Sequence, residues 1–189
     1  MKEIELEQSD AQSASHRSAE MIGLRESPIH CCGVFAAAPI HPGTRIIQYQ
    51  GEKITIDECE RRELLCGERG VTYLFDMENG YAVDGGVGGN MSIYINHSCD
   101  PNCRIEIEGD EIWVVASRFI SAGEELTYDY WFDPADDETV AVSCQCRGIH
   151  CRGTINRPHD EPPRENNVDI AGAARFPRDK EGTSPSQSE

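Results

Sequence analysis

The chain has 189 residues, a length that allows one compact domain with flexible ends but not two complete domains. Acidic residues outnumber basic ones by 34 to 17, which disfavours a nucleic-acid-binding surface, because phosphate contacts need clustered lysine and arginine. No apolar stretch approaches the ~18 residues that would span a bilayer, and no signal peptide begins the chain, so we expect a soluble, intracellular monomer, cytoplasmic or nuclear.

The two ends of the chain differ in composition from the middle. Residues 1–22 are polar and acidic without a sustained period, and residues 158–189 are rich in proline with three large apolar residues. Such segments cannot bury enough apolar surface to fold, so we predict that both are disordered. Residues 23–157 contain 22 acidic and 11 basic residues, a net charge of −11. This charge favours a basic partner, although solubility alone would also account for it.

In chain order, the first predicted elements are a strand and a helix. The strand "RIIQYQ" follows the turn signal Pro42-Gly43. The helix starts at Thr55, whose hydroxyl can cap it while Glu58 reaches back, and it runs to about Cys66.

The remaining predicted elements are two β-hairpins. "TYLFDM" and "YAVD" flank Asn79-Gly80, and "CRIEIE" and "EIWVVAS" flank Gly109-Asp110. Both dipeptides are typical of hairpin turns, so the middle of the chain is predicted to be mainly β with short helices.

Three cysteines near the end of the middle part have a spacing typical of metal ligands. Cys144, Cys146 and Cys151 form a C-x-C-x4-C run, and three such thiolates can wrap one face of a tetrahedral Zn²⁺. A closed site needs a fourth ligand. His150 is the local candidate, but adjacent residues rarely both reach one metal. Free or buried thiols are the alternative, although clustered thiols in a reducing compartment are more often metal ligands than disulfides.

Two further segments carry polar groups at short spacing. "NHSC" places an amide, an imidazole, a hydroxyl and a thiol on consecutive positions from Asn96 to Cys99. "GEELTYDY" ends in Tyr128 and Tyr130, whose rings would point to the same side of a strand and could line one aromatic channel. Taken alone, an Asn-His pair is also typical of a turn and two such tyrosines of ordinary strand core.

These segments together resemble the SET-domain protein-lysine methyltransferases that carry a C-terminal post-SET zinc segment. "SPIHCCGVFA", "GNMSIYINHSCDPNC", "GEELTYDY" and the "CQC" and "CRG" pieces occur in the family's order and at roughly its spacing, over about residues 25–157. The resemblance implies a SET-domain fold of small β-sheets with knot-like C-terminal threading, plus a post-SET zinc site. The SET domain would occupy residues 23–135 and the post-SET segment residues 136–157.

The resemblance also implies an activity and its site residues. S-adenosylmethionine would be the cofactor, and a lysine of a basic protein, histone-like or other, would be mainly mono- or dimethylated, as the family associates with tyrosine at position 128. Neither nucleic acid nor membrane is an expected partner. The positions that match cofactor-binding residues are His30, Cys32, Tyr73, Asn96, His97 and Gln145. Tyr130 matches the catalytic tyrosine, with Tyr73 and Tyr128 shaping the lysine channel. The zinc ligands would be Cys99, Cys144, Cys146 and Cys151.

The zinc would tie the post-SET segment over the active site, since a segment with so few large apolar side chains could not hold itself there. The sequence departs from the family pattern at Cys31, where the first glycine of a Gly-x-Gly turn is expected, and at Ser92-Ile93-Tyr94, where Ala-Arg-Phe is usual. A positive φ at position 31 would strain a cysteine and affect cofactor affinity. The alternative functions are a zinc-stabilised binding module without methyl transfer and a redox protein that uses Cys31 and Cys32.

Overall fold

The computed structural model describes residues 20–66, 73–77, 79–132 and 142–158, and in residues 64–66 the backbone alone. The predicted terminal segments lie almost entirely outside these ranges. In chain order the described elements are β1 (Ile22–Glu26), β2 (Cys32–Ala36), β3 (Arg45–Tyr49), β4 (Glu52–Thr55), α1 (Ile56–Cys66), β5 (Leu74–Asp76), β6 (Tyr81–Asp84), a 3₁₀ helix (Met91–Tyr94), β7 (Asn96–His97), β8 (Cys103–Glu108), β9 (Glu111–Ala116) and β10 (Thr127–Tyr128). Short strands dominate, which confirms the predicted fold class. Among the described residues, no helix has the length and apolar character needed to cross a membrane.

The strands form four small sheets. β1 pairs with β2, β3-β9-β8 and β4-β6-β5 form three-stranded sheets, and β10 pairs with β7. The last pair is parallel, with Thr127 opposite Asn96 and Tyr128 opposite His97. A parallel pair requires a long connection, and here it lays a late segment of the chain beside an early one. This pairing brings two of the sequence motifs together.

Both predicted hairpins are present. β8 and β9 pair from Cys103 opposite Ala116 to Glu108 opposite Glu111, and Gly109 at the turn has φ 62°. β5 and β6 are likewise antiparallel, and Gly80 before β6 has φ 87°. Glycine occupies this left-handed region without the steric cost that other residues incur, so the dipeptides were reliable turn signals.

Helix α1 confirms half of the predicted capping arrangement. The Thr55 hydroxyl accepts a hydrogen bond of 3.4 Å from the main-chain N–H of Glu58, as expected of a capping residue. The prediction that the Glu58 side chain reaches back is wrong, since its carboxylate binds the guanidinium groups of Arg61 and Arg62. Charge-assisted bonds to arginine are stronger than one to a neutral amide, which explains the difference.

The main core lies between the small sheets and is made mostly of strand residues. Its fully buried side chains include Val34, Ile46, Phe75, Ile95, Ile112, Val114 and Leu126. The end of the described chain has its own smaller apolar cluster, in which Val142 and Ile155 pack against Phe132. The sequence analysis overlooked this cluster when it judged the post-SET segment too poor in apolar side chains to contribute packing.

Candidate active site and metal centre

The structure brings four cysteines from two distant parts of the chain into one group. The sulfur atoms of Cys99, Cys144, Cys146 and Cys151 all lie within 4.8 Å of one another, and that of Cys99 is 3.6 Å from that of Cys144. A zinc ion bound by four sulfurs at about 2.3 Å keeps neighbouring sulfurs about 3.8 Å apart in a tetrahedron. The group could therefore hold one Zn²⁺. His150, the local alternative, is exposed and is not part of the group.

Main-chain amides support the cysteine group. The N–H groups of Arg152 and Gly153 donate hydrogen bonds of 3.4 Å to the sulfurs of Cys99 and Cys151. Such amides stabilise the negative charge of thiolates and orient them toward a metal.

His97 links the cysteine group to the tyrosine segment. Its buried ring accepts a hydrogen bond at Nδ1 from the main-chain N–H of Tyr130, 3.1 Å away, and Nε2 lies 3.4 Å from the Cys99 sulfur. Burial lowers the pKa of His97 to about 4, so the ring is neutral at physiological pH. Because Nδ1 accepts, the proton resides on Nε2 and points at the sulfur. His97 therefore forms no ion pair with Asp129, although Nδ1 is 3.4 Å from its carboxylate.

Asn96 is the centre of a hydrogen-bond network that the sequence analysis did not foresee. Its side-chain amide donates to the Cys32 carbonyl at 3.0 Å and to Glu125 Oε1 at 2.7 Å. The same carboxylate oxygen accepts from the Ser27 hydroxyl at 2.7 Å. A Cβ on Gly33 would lie 2.1 Å from Glu125 Oε1, so a larger residue there would displace this carboxylate. The network fixes the turn between β1 and β2 against β7, and Glu125 was visible in "GEEL" only as a polar residue without a role.

The turn between β1 and β2 carries the residues that match part of a cofactor site. His30 and Cys31 are exposed, and Cys32 is half-buried at the start of β2. Cys31 has φ 38°, so the condition for strain is met at a cost of about 1–2 kcal/mol. Burial, and then the neighbouring Cys31, raise the pKa of the Cys32 thiol. A raised pKa makes a thiol a poor nucleophile, which weakens the redox alternative.

The predicted tyrosine pair is in contact. The ring centroids of Tyr128 and Tyr130 are 5.0 Å apart, and the Tyr130 hydroxyl donates a hydrogen bond of 2.8 Å to the Ile95 carbonyl. Burial raises the pKa of both phenols above the ordinary value; Tyr130 raises that of Tyr128 further, and Tyr73 raises that of Tyr130. Both are therefore neutral hydroxyls at physiological pH.

Two more tyrosines belong to the same neighbourhood. Tyr73 is half-buried, and its pKa is raised by burial and then by Tyr94 and Cys32. Tyr49 donates from its hydroxyl to the Tyr73 carbonyl at 2.8 Å, and burial and then Tyr130 raise its pKa. Tyr49 lies in the predicted strand "RIIQYQ", and no local pattern distinguishes a strand tyrosine that faces a site.

Gln145 lies between two cysteines of the metal-ligand group and has an exposed side chain. The family resemblance implies that its main chain, rather than its side chain, would contact a cofactor. The six predicted cofactor positions thus lie on the turn before β2, on the chain before β5, on β7 and in the cysteine segment.

Comparison with known proteins identifies the same segment of the chain. Residues 32–131 match the family described as SET domain, which is just over half of the chain. Histone-lysine N-methyltransferase 2D from Homo sapiens is 39% identical over 139 residues, which are 70% of this chain and 2% of that protein. Histone-lysine N-methyltransferase set-2 from Caenorhabditis elegans is 38% identical over 143 residues, 72% of this chain and 9% of that protein. The chain spans less than a tenth of either relative.

Solved structures that resemble this fold include assemblies of Polycomb Repressive Complex 2. ctPRC2 in an autoinhibited conformation bound to S-adenosylmethionine matches with a TM-score of 0.54 at 38% identity, over 59% of this chain and 15% of that chain. A humanized mutant of the Chaetomium thermophilum complex matches with a TM-score of 0.52 at 37% identity, over 58% and 14%.

Proposed function

The chain belongs to the SET-domain family, and on that premise we propose that it transfers a methyl group from S-adenosylmethionine to the ε-amine of a lysine. The observation that carries the proposal is the contact between two neutral phenols, Tyr128 and Tyr130, beside Asn96 and His97. Relatives named histone-lysine N-methyltransferases support it, as does a fold shared with a complex bound to S-adenosylmethionine.

We propose that the cofactor is held between the turn before β2, β7 and the cysteine segment. S-adenosylmethionine supplies an electrophilic methyl group on a cationic sulfonium when it is bound. The groups around Tyr130 suit a cation, because they are aromatic faces and the Ile95 carbonyl oxygen rather than positive side chains. The proposed contacts come from His30, Cys32, Tyr73, Asn96, His97 and the Gln145 main chain.

The proposed role of Tyr130 follows from its hydrogen bond. Its proton is engaged by the Ile95 carbonyl, so the lone pairs of its oxygen are available to accept from a substrate amine. A free lysine has a pKa of about 10.4 and must lose a proton before it can attack. Buried neutral rings disfavour the ammonium form by desolvation, so this route needs no carboxylate base. Tyr73 and Tyr128 would shape the channel that admits the lysine.

We propose that Cys99, Cys144, Cys146 and Cys151 hold one Zn²⁺ and that residues 136–157 form a post-SET segment after a SET domain of residues 23–135. The short distances between the four sulfurs and the amide donors around them support a thiolate site. The metal would fix the segment that contains Gln145 against β7.

The proposed substrate is a lysine-rich basic protein. The 22 acidic and 11 basic residues of the middle part would attract a positively charged segment and raise its rate of encounter. A histone tail has the required chemistry, as have other basic proteins, and the names of the relatives favour histones. With a histone substrate the protein would act in the nucleus, and with a ribosomal protein it would act in the cytoplasm. We propose one chain as the catalytic unit, whereas the solved neighbours belong to multi-subunit complexes.

The test is transfer of labelled methyl from S-adenosylmethionine to a panel of basic proteins that includes histones. We expect labelled lysine in at least one of them. Tyr130→Phe should lower turnover at least about tenfold without weakening cofactor binding in calorimetry, because its hydroxyl acts on the chemical step. Tyr81→Phe, at an exposed tyrosine, is the matched control. A zinc-loaded protein that labels nothing would instead be the binding module.

The degree of methylation tests the proposed role of Tyr128. Its phenol can hold a water or the amine by a hydrogen bond and so restrict the turning of a methylated amine. We propose mono- and dimethylation by the natural protein and a shift toward di- and trimethyl-lysine in Tyr128→Phe. Mass spectrometry of a single-lysine peptide after long incubation measures the ratio. Trimethyl-lysine from the natural protein, or an unchanged ratio in the variant, would contradict the role.

A further inference from the structure

One ion pair joins the cysteine segment to the tyrosine segment. The Arg152 guanidinium binds the Asp129 carboxylate through two hydrogen bonds, Nη1 to Oδ2 at 2.7 Å and Nη2 to Oδ1 at 2.9 Å. The Asp129 side chain is 5% exposed and that of Arg152 22%. Two parallel bonds fix the relative orientation of both planar groups, which a single bond would not do.

Both partners of this pair hold further groups of the site. Asp129 lies between Tyr128 and Tyr130 in sequence, and its Oδ1 accepts a hydrogen bond of 3.2 Å from the main-chain N–H of Trp131. Arg152 follows Cys151, and its own N–H donates to the Cys99 sulfur. One residue therefore contacts a member of the cysteine group through its main chain and the tyrosine segment through its side chain.

The backbone after Tyr130 needs such a support. Trp131 is fully buried and has φ 53°, a left-handed conformation that is costly for a bulky residue. Strained residues persist only where the surroundings over-determine them. The Asp129 carboxylate holds the Trp131 amide, and the Arg152 guanidinium lies 6.0 Å from the centre of the indole ring.

We propose that Arg152 is a positioning residue. It holds the Asp129 carboxylate in place and thereby links the backbone of residues 128–131 to the cysteine group. The proposal rests on the proposed function for the meaning of "positioning", since the placed group is the Tyr130 hydroxyl. His97 provides a second link, from the Cys99 sulfur to the Tyr130 amide. The cysteine group thereby reaches the tyrosine segment through two separate hydrogen-bond routes.

Arg152→Lys is the sharpest test, because it keeps the charge and the main-chain N–H but removes the two-pronged guanidinium. We expect hydrogen exchange at the Tyr130 and Trp131 amides to accelerate at least tenfold, with the amides of β8 and β9 within twofold of their natural rates. The variant should keep one zinc per chain and a cofactor affinity within threefold, and its kcat should fall at least tenfold. Arg61→Lys is the matched control, since Arg61 makes an equally two-pronged but exposed pair with Glu58.

Unchanged exchange at both amides in Arg152→Lys would overturn the proposal, as would zinc loss or a general acceleration that includes β8 and β9. The double variant Asp129→Asn with Arg152→Lys should exchange at Trp131 no faster than the faster single variant, because both changes break one contact. Additive effects would contradict a shared role. If the protein methylates nothing but Arg152→Lys shows the expected exchange pattern, the proposed function is refuted and the positioning role of Arg152 stands.

Discussion

The sheet core and the C-terminal segment of residues 142–158 are stabilised by different interactions. In the core, buried strand residues such as Ile112 and Val114 pack on all sides. The segment buries few apolar side chains. It contacts the rest of the molecule through the cysteine sulfurs, the ion pair of Arg152 with Asp129 and short β-bridges such as Phe132 to Asn156. The core is thus stabilised by packing, whereas we propose that the segment is stabilised mainly by the zinc that its cysteines would bind.

Removal of one sulfur from the cysteine group should have the largest effect. In Cys99→Ser the zinc content should fall below one per chain and methyl transfer should be lost with it, because the segment is released from β7. The core should keep its far-ultraviolet circular dichroism. Metal analysis and activity of the purified variant measure both.

The control is Cys59→Ser, which removes a buried thiol outside the cysteine group and should leave zinc at one per chain. A full zinc complement in Cys99→Ser would refute the ligand assignment.

A cavity in the core should have the next largest effect, and it should affect the sheet core rather than the cysteine group. Ile112→Ala should lower the free energy of unfolding by about 2–5 kcal/mol, since the site cannot collapse around the loss. Its zinc content should not change. Ile155→Ala, which removes the same atoms from the small cluster, should cost less, because only local structure depends on that cluster. Urea denaturation compares the two variants, and equal losses would contradict the contrast between the regions.

The sequence predicted those parts of the molecule that depend on local signals. The hairpins at Gly80 and Gly109 and the helix after Thr55 follow from turn chemistry and capping. Tyr128 and Tyr130 are in contact as predicted, although β10 ends at Tyr128 and strand periodicity does not place Tyr130. β1, β2, β4 and β7 were not predicted. β4 and β7 pair with strands that are not their neighbours in sequence, whereas β1 and β2 pair with each other across a turn that has no Asn-Gly or Asp-Gly signal.

The residues of the candidate site likewise include some that the sequence predicted and others that only the fold reveals. Sulfur spacing and the family resemblance pointed to all four cysteines, whereas Glu125 and Arg152 were missed. Glu125 acts through Asn96, twenty-nine positions away, and Arg152 through Asp129, twenty-three positions away. Only the fold brings such partners together, and no local pattern announces them.

A methyl group at Gly33 should weaken cofactor binding without removing an interaction of the apolar core or of the cysteine group. Its Cβ would displace the Glu125 carboxylate and with it the Asn96 amide, both of which hold the turn before β2. We expect Gly33→Ala to reduce cofactor affinity about tenfold, or about 1.4 kcal/mol, with unchanged zinc. Gly23→Ala in β1, where a Cβ meets no atom within 4 Å, is the matched control. Equal calorimetric affinities for both variants would contradict the role of the network.

The smallest expected effect is at Cys31. Glycine would relieve the strain of φ 38° but would add freedom to the unfolded chain, so the free energy of unfolding of Cys31→Gly should change by less than about 1 kcal/mol. Cofactor affinity should rise, because the turn reaches its conformation more easily. Cys31→Ser keeps the Cβ and should leave the affinity unchanged. Weaker cofactor binding in Cys31→Gly would show that the thiol itself is needed.

The contrast between packing and ligation is tested most directly by hydrogen exchange of the natural protein with and without a zinc chelator. With the chelator, amides of the C-terminal segment that are bonded in the structure, such as those of Cys144 and Ile155, should lose their protection. Amides of β8 and β9 should exchange at their earlier rates. Loss of protection in both regions together, or continued protection of the segment after the zinc has been removed, would contradict the account.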